Sequence, residues 1–334
     1  MPLSTDPQIL ETSNGLVNVL RAAAGDAPHS FRPAHAKGHL LTGTFTPTAE
    51  AANLTSAPHF NASSTPITVR FSSSTGFPQI PDTDANANPR GIAIRFHLPD
   101  VNGRRAHTDI IAHSTKFFPT RTGADFLEFL KAATGPNAAE AVPEFLGRHP
   151  ETLRFLGDPK PSPVSFATEK FFGVNAFNYV KDGKVTALRY RIVPVAGEQH
   201  IDAEELKSKS ATYLFDEFPK RLESGPIEFK LLAQIAEEGD ATNNATEIWP
   251  EERKVIELGH IKIEKTLADA ESLKEQKHTI FDPIPRVDGI EPSDDPLLDV
   301  RASVYLVSGK QRREAKEAPS TGDVAPTDAA KVAT

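Results

Sequence analysis

Hydrophobic and polar positions in the first third of the chain alternate with a period of two. Thr68-Val69-Arg70-Phe71-Ser72 and Ile92-Ala93-Ile94-Arg95-Phe96 show this best, and it is the pattern of strands whose side chains point to opposite faces in turn. Strands are predicted over 39–46, 67–72, 91–97 and 108–113, separated by Pro, Asp, Asn and Gly, and again over 185–195 and 227–235. Between these blocks the apolar spacing becomes helical. Asp125-Phe126-Leu127-Glu128-Phe129-Leu130 lies in a predicted helix over 123–134, with further helices over 138–147, 151–156, 203–208 and 211–222. An N-terminal arm, 1–30, carries a short amphipathic helix over 15–24. The last strong element is a helix over 297–313, and 314–334, rich in Ala, Pro, Thr and Asp, reads as a disordered tail. Two blocks of strands around helical insertions predict an α+β chain built on an antiparallel barrel, not a βαβ series. A closed barrel is one way to enclose a ligand.

Composition narrows the chemistry. The 334 residues include no cysteine, which removes disulfides, thiol nucleophiles, zinc–thiolate sites, iron–sulfur clusters and thiolate-ligated haem. Methionine occurs once, at Met1, and tryptophan once, at Trp249, so the chain is poor in easily oxidised side chains. A net charge of −8 advertises no nucleic-acid partner. No apolar run reaches the length of a membrane span. The N-terminus has no basic region followed by an apolar core, and the final Val-Ala-Thr is not a peroxisomal address, so a cytoplasmic location is expected.

Four segments carry candidate chemistry. In the 297–313 helix, Arg301, Tyr305, Ser308 and Arg312 fall at i, i+4, i+7 and i+11 on one stripe. A cation one turn before a tyrosine favours the phenolate, a known axial ligand of haem iron. In Arg32-Pro33-Ala34-His35-Ala36-Lys37-Gly38-His39 the two histidines have metal-pair spacing only on a helix, which Pro33, Gly38 and Gly43 argue against. Gly38 to Gly43 mimics a phosphate loop, but Thr44-Phe45 follows where Lys-Ser/Thr is required. His35 remains a candidate acid–base residue. Arg70 lies mid-strand, where an inward guanidinium needs an anion and an outward one needs only water. Finally, Thr108-Asp109-Ile110-Ile111-Ala112-His113 ends a strand on a histidine, before Phe117 and Phe118.

Together these segments resemble the catalase superfamily, over roughly 31–313 and in the family's order. His35-Ala36-Lys37-Gly38 followed by Gly43-x-Phe45 is similar to its distal-histidine motif. Val69-Arg70-Phe71-Ser72 matches its V-R-F-S strand. Asp84 with Arg90-Gly91-Ile92-Ala93-Ile94-Arg95-Phe96 resembles a second strand, and Arg301-x-x-x-Tyr305 with Arg312 resembles its proximal helix. Phe172-Gly173-Val174-Asn175-Ala176-Phe177 and Arg189-Tyr190-Arg191-Ile192-Val193-Pro194 resemble the small catalase-related peroxidases in particular. The resemblance implies a closed barrel of about eight strands, over 31–313, holding haem b between the His35 side and the proximal helix. It implies Tyr305 as the iron ligand, supported by Arg301. His35 would act as the proton shuttle, oriented by Ser72, with His113 beside it. Arg32, Arg70 and Arg312 would bind the haem carboxylates, and Phe118 and Phe126 would line the cavity.

The implied reaction reduces hydrogen peroxide or an organic hydroperoxide through a ferryl intermediate and oxidises an organic electron donor. One departure bears on it: most catalases carry asparagine at the position aligned with His113. That change and the short chain favour peroxidase over catalase turnover. Two rivals remain: rearrangement of hydroperoxides in the manner of allene oxide synthases, or another biosynthetic tailoring oxidation, and a non-enzymatic barrel that carries haem or lipid. A homodimer is a further expectation.

Overall fold

The computed structural model describes residues 3–25, 27–101 and 103–316; the expected tail from 317 onward lies outside the described residues. Ten strands form one sheet: β1 (Gly38–Pro47), β2 (Thr65–Ser72), β3 (Gly91–Val101), β4 (Arg104–His113), β5 (Phe171–Phe172), β6 (Phe177–Lys181), β7 (Lys184–Pro194), β8 (Ile227–Ile235), β9 (Val255–Thr266) and β10 (Ile290–Pro292). All pairings are antiparallel. The order β7-β5-β4-β3-β2-β1-β9-β8 closes through a β7–β8 pairing into an eight-stranded barrel, and β6 and β10 extend it along β7. Closure leaves no free edge among the eight.

The lumen is filled. Alternate residues from every strand project into it, and aromatic rings from strands that are not neighbours touch across it: Phe45–Phe96 at 5.1 Å, Phe71–Phe229 at 6.1 Å and Phe171–Phe229 at 6.2 Å between ring centroids. Fully burying each such ring contributes about 1.5–3 kcal/mol. The barrel therefore encloses a packed core and not a ligand, which corrects the expectation that a cofactor lies inside it. The reason is the period of two: Val69 and Phe71 point inward, so Arg70 and Ser72 point outward. The space for chemistry lies on the outer wall, under helices.

Those helices come from both chain ends. Helix Pro7–Ala23, longer than the predicted 15–24, is capped by Asp6, whose carboxylate accepts from Gln8 N. It lies along helix Leu297–Glu314 and is tied to it by Arg21 Nε donating to Gln311 Oε1 at 3.2 Å. Helix Gly123–Thr134 carries a capping box between Thr122 and Asp125 and packs on both. Helix Asp269–His278 covers β1 and touches Leu297–Glu314.

One buried group in the lumen carries a stability consequence. His59 packs on Phe60 at 4.2 Å and Phe96 at 4.7 Å, with Nδ1 bonded to none of the described residues. Burial pushes its ring down to about 3 from 6.5. Between those values the unfolded chain binds a proton that the folded one does not. Stability is therefore lost as pH falls below 6.5, by about 1.4 kcal/mol per pH unit. His59→Phe is expected to raise the thermal midpoint over wild type more at pH ~4.5 than at pH ~8. Thermal melts at the two pH values check this; an equal difference at both sinks it.

Candidate active site

The site begins with a row of paired residues. Gly38 faces Ser72, Ser72 faces Gly91, and Gly91 faces His113, across β1, β2, β3 and β4. Directly paired residues point to the same face, so the outer wall presents a serine, a gap and a histidine. The His35 ring occupies the gap. A Cβ on Gly91 would stand 2.7 Å from Ser72 Oγ and 3.1 Å from His35 Nδ1, so only glycine admits this ring. Ser72 Oγ is 3.1 Å from His35 Nδ1, and the His35 and His113 ring centroids are 4.9 Å apart. His35 is aimed by a left-handed backbone, φ +54°, which costs a non-glycine residue about 1–2 kcal/mol.

Both histidines sit deep among protein atoms yet are not wholly closed off. Burial, then Arg70, pushes His35 down to about 3 against a smaller opposing effect from the Ser73 backbone. Burial, then His35 and Arg301, holds His113 well below the usual histidine range. Both rings are therefore neutral near pH ~7. The second histidine of the His35/His39 spacing is elsewhere: His39 Nε2 meets Thr266 Oγ1 at 2.8 Å and Leu267 O at 3.0 Å.

Arg301 acts electrostatically on both His35 and His113, so the C-terminal helix brings a cation within reach of them. Its guanidinium stands 6.0 Å from the Tyr305 ring centroid. Arg301 donates to Asn175 Oδ1, Asn175 Nδ2 donates to Asp295 Oδ2 at 2.8 Å, and Asp295 Oδ1 accepts from Leu297 N at 3.0 Å. The cation beside Tyr305 is thus held by a buried amide and a carboxylate at the head of the same helix. Tyr305 is partly open and bonded to none of the described residues. Phe118 and Phe126 meet edge to face at 5.0 Å.

Arg70 is 4% exposed and Arg312 2%, which overrides the solvated-arginine reading of the β2 segment. Arg32 lies beside them. Burial, then Arg32 and Arg312, lowers Arg70 well below the ordinary arginine value; burial lowers Arg32 to about 10, with Tyr305 opposing. Guanidiniums nevertheless stay protonated in proteins. Their partners are Gln276, Thr279, Ser308 and the carbonyls of His35 and Ala36, and no carboxylate among the described residues. Arg312 Nε is buried and bonded to none of the described residues. Three clustered cations, Arg70 and Arg312 buried and Arg32 partly so, without a carboxylate partner among the described residues call for an anionic ligand.

The catalase family model matches residues 30–317. The chain belongs to the catalase family. A catalase-related peroxidase of Mycolicibacterium paratuberculosis is 34% identical over 306 residues, covering 90% of this chain and 95% of that protein. A catalase-related peroxidase of Synechococcus elongatus is 31% identical over 287 residues, covering 83% and 82%. A catalase of Triticum aestivum is 27% identical over 303 residues, covering 84% of this chain but 60% of its own length. As a catalase-family protein the chain is an oxidoreductase, and the family's cofactor is haem iron. The residues present fit that group: its two carboxylates match the guanidinium cluster in charge and fork geometry. Among the described residues no group of three or more His, Asp or Glu is placed to hold a metal ion.

Sequence reasoning did not assign roles to Gly91, Asn175, Asp295 or Gln276. Gly91 and Asn175 lie in segments quoted for the family resemblance, so a signal existed. Asp295 and Gln276 lie where no strong element was expected.

Proposed function

We propose that this chain is a haem b peroxidase that reduces hydrogen peroxide or an organic hydroperoxide and oxidises an organic donor, with weak or no catalase turnover. The observation that carries the reading is the neutral His35–Ser72–His113 group within electrostatic reach of Arg301, which stands beside Tyr305, together with guanidiniums that have no carboxylate partner among the described residues. Arg32, Arg70 and Arg312 would hold the haem carboxylates, Tyr305 would bind the iron, and Phe118 and Phe126 would line the cavity. The bound haem supplies a redox-active iron that passes the oxidising power of a peroxide to a donor.

The protein's own part is proton handling. His35 would act at Nε2 as the group that accepts a proton from a bound peroxide and delivers it to the departing oxygen, while the haem, when bound, would supply the electrons and take up the remaining oxygen. A ring pushed down to about 3 holds no proton at rest and releases one readily. Ser72 against Nδ1 fixes the ring's orientation and leaves Nε2 free. Arg301, held by Asn175 and Asp295, keeps a positive charge next to the phenol.

His113 tips the balance between the two second half-reactions. Its ring, 4.9 Å from that of His35, fills space that an asparagine amide would leave for a second peroxide. His113→Asn is expected to raise oxygen evolution relative to donor oxidation by about tenfold, since one placement contact is worth roughly 1–2 kcal/mol. An oxygen electrode and a chromogenic aromatic donor, used on haem-loaded protein, measure both rates. Rapid oxygen evolution by wild type without donor oxidation would reverse the proposed order.

A further inference from the structure

Guanidiniums from four separate parts of the chain converge on the end of helix Asp269–His278. Arg32 donates to Gln276 O at 3.3 Å and to Thr279 O at 2.9 Å; Arg312 donates to Thr279 O at 2.7 Å; Arg95 donates to Ile280 O. Arg70 donates through Nε to the Gln276 side chain, Oε1, at 2.6 Å. Carbonyls past the end of a helix are its unsatisfied, partly negative groups. They order cations without neutralising them.

Gln276 does the same with a side chain. It is 6% exposed and fully engaged: Oε1 accepts from Arg70, and Nε2 donates to Gly38 O at 2.9 Å and Ser272 Oγ at 3.0 Å. Gly38 keeps the passage open, because a Cβ there would stand 2.3 Å from Arg70 Nη2. That Nη2 donates in turn to His35 O at 2.7 Å. A glutamate would make the stronger bond to Arg70 but would neutralise it. An amide orders the guanidinium and leaves its charge unspent.

We propose that Gln276 is a positioning residue for the cofactor carboxylates, acting through Arg70; this rests on the haem reading above. The neutral amide sets the guanidinium's place and keeps the cluster cationic, so haem retention depends on a side chain that touches no haem. Gln276→Glu keeps the shape and the acceptor toward Arg70, adds a negative charge, and loses the donor to Gly38 O. Haem transfer from the loaded variant to apomyoglobin is expected to be about tenfold faster than from wild type, in line with buried charge pairs elsewhere. With haem dimethyl ester, which has no free carboxylates, wild type and Gln276→Glu are expected to release haem equally fast.

Equal retention of free-acid haem by wild type and Gln276→Glu overturns the inference, as does an equal loss of free-acid and ester haem by the variant. Should Gln276→Glu fail to fold, Gln276→Leu carries the same comparison: its preference for free-acid over ester haem is expected to fall, and an unchanged preference overturns the inference. A wild-type protein that takes up no haem sinks the functional reading itself, a separate outcome.

Discussion

Replacing Tyr305 by phenylalanine is expected to strip the haem-loaded protein of its phenolate-ligand absorption and of nearly all peroxide turnover. The phenol lies on helix Leu297–Glu314, partly open, with Arg301 centred 6.0 Å from its ring. Arg32 and Arg70 are both within electrostatic reach of it. Losing an outer-shell partner costs roughly 10–100-fold in metal affinity or activity, and losing the ligand itself should cost more. The guanidinium cluster survives the substitution, so some haem should still bind. Absorption spectra and haem transfer rates on the variant separate these effects: retained haem with an altered spectrum supports the assignment, and an unchanged spectrum with full turnover removes Tyr305 from the metal.

His35→Ala is the complementary experiment, with an expected fall of about 10²–10⁴-fold in peroxide turnover and no change in haem content. His35 must be neutral to accept a proton. Burial and Arg70 hold it down to about 3, so the neutral form prevails above that value, and turnover limited by His35 should stay level from pH ~8 to pH ~5. It should fall only as pH drops toward the folded-state value. A wild-type profile that falls near pH ~6.5, where a free imidazole titrates, would mean that His35 is not buried as described or is not the acceptor.

The two substitutions probe parts of the chain that were unequally legible beforehand. The β1 to β4 strands could be read from alternation alone, because that pattern is local and the barrel wall is amphipathic. The 123–134 helix announced itself through apolar spacing. The 255–266 strand did carry alternating Ile261 and Ile263, but Gly259 and its many charged positions obscured it. Helix Asp269–His278 could not have been found that way, since the residues it buries are Ser272 and Gln276. A helix that buries polar groups leaves no hydrophobic period to detect.

Local order along the chain was enough to specify the strands of the wall, the Arg301–Tyr305–Arg312 stripe and, through motif resemblance, the family. Folding in three dimensions decided that the lumen is packed with phenylalanine and that Arg70 and Ser72 lie outside it. It also decided that His35 rests on Gly91 between Ser72 and His113, and that Arg32, Arg70 and Arg312 share one helix end. The reason is physical. Periodicity reports which face of an element is apolar, whereas these juxtapositions depend on strand register and barrel closure, set by contacts between residues far apart in the chain.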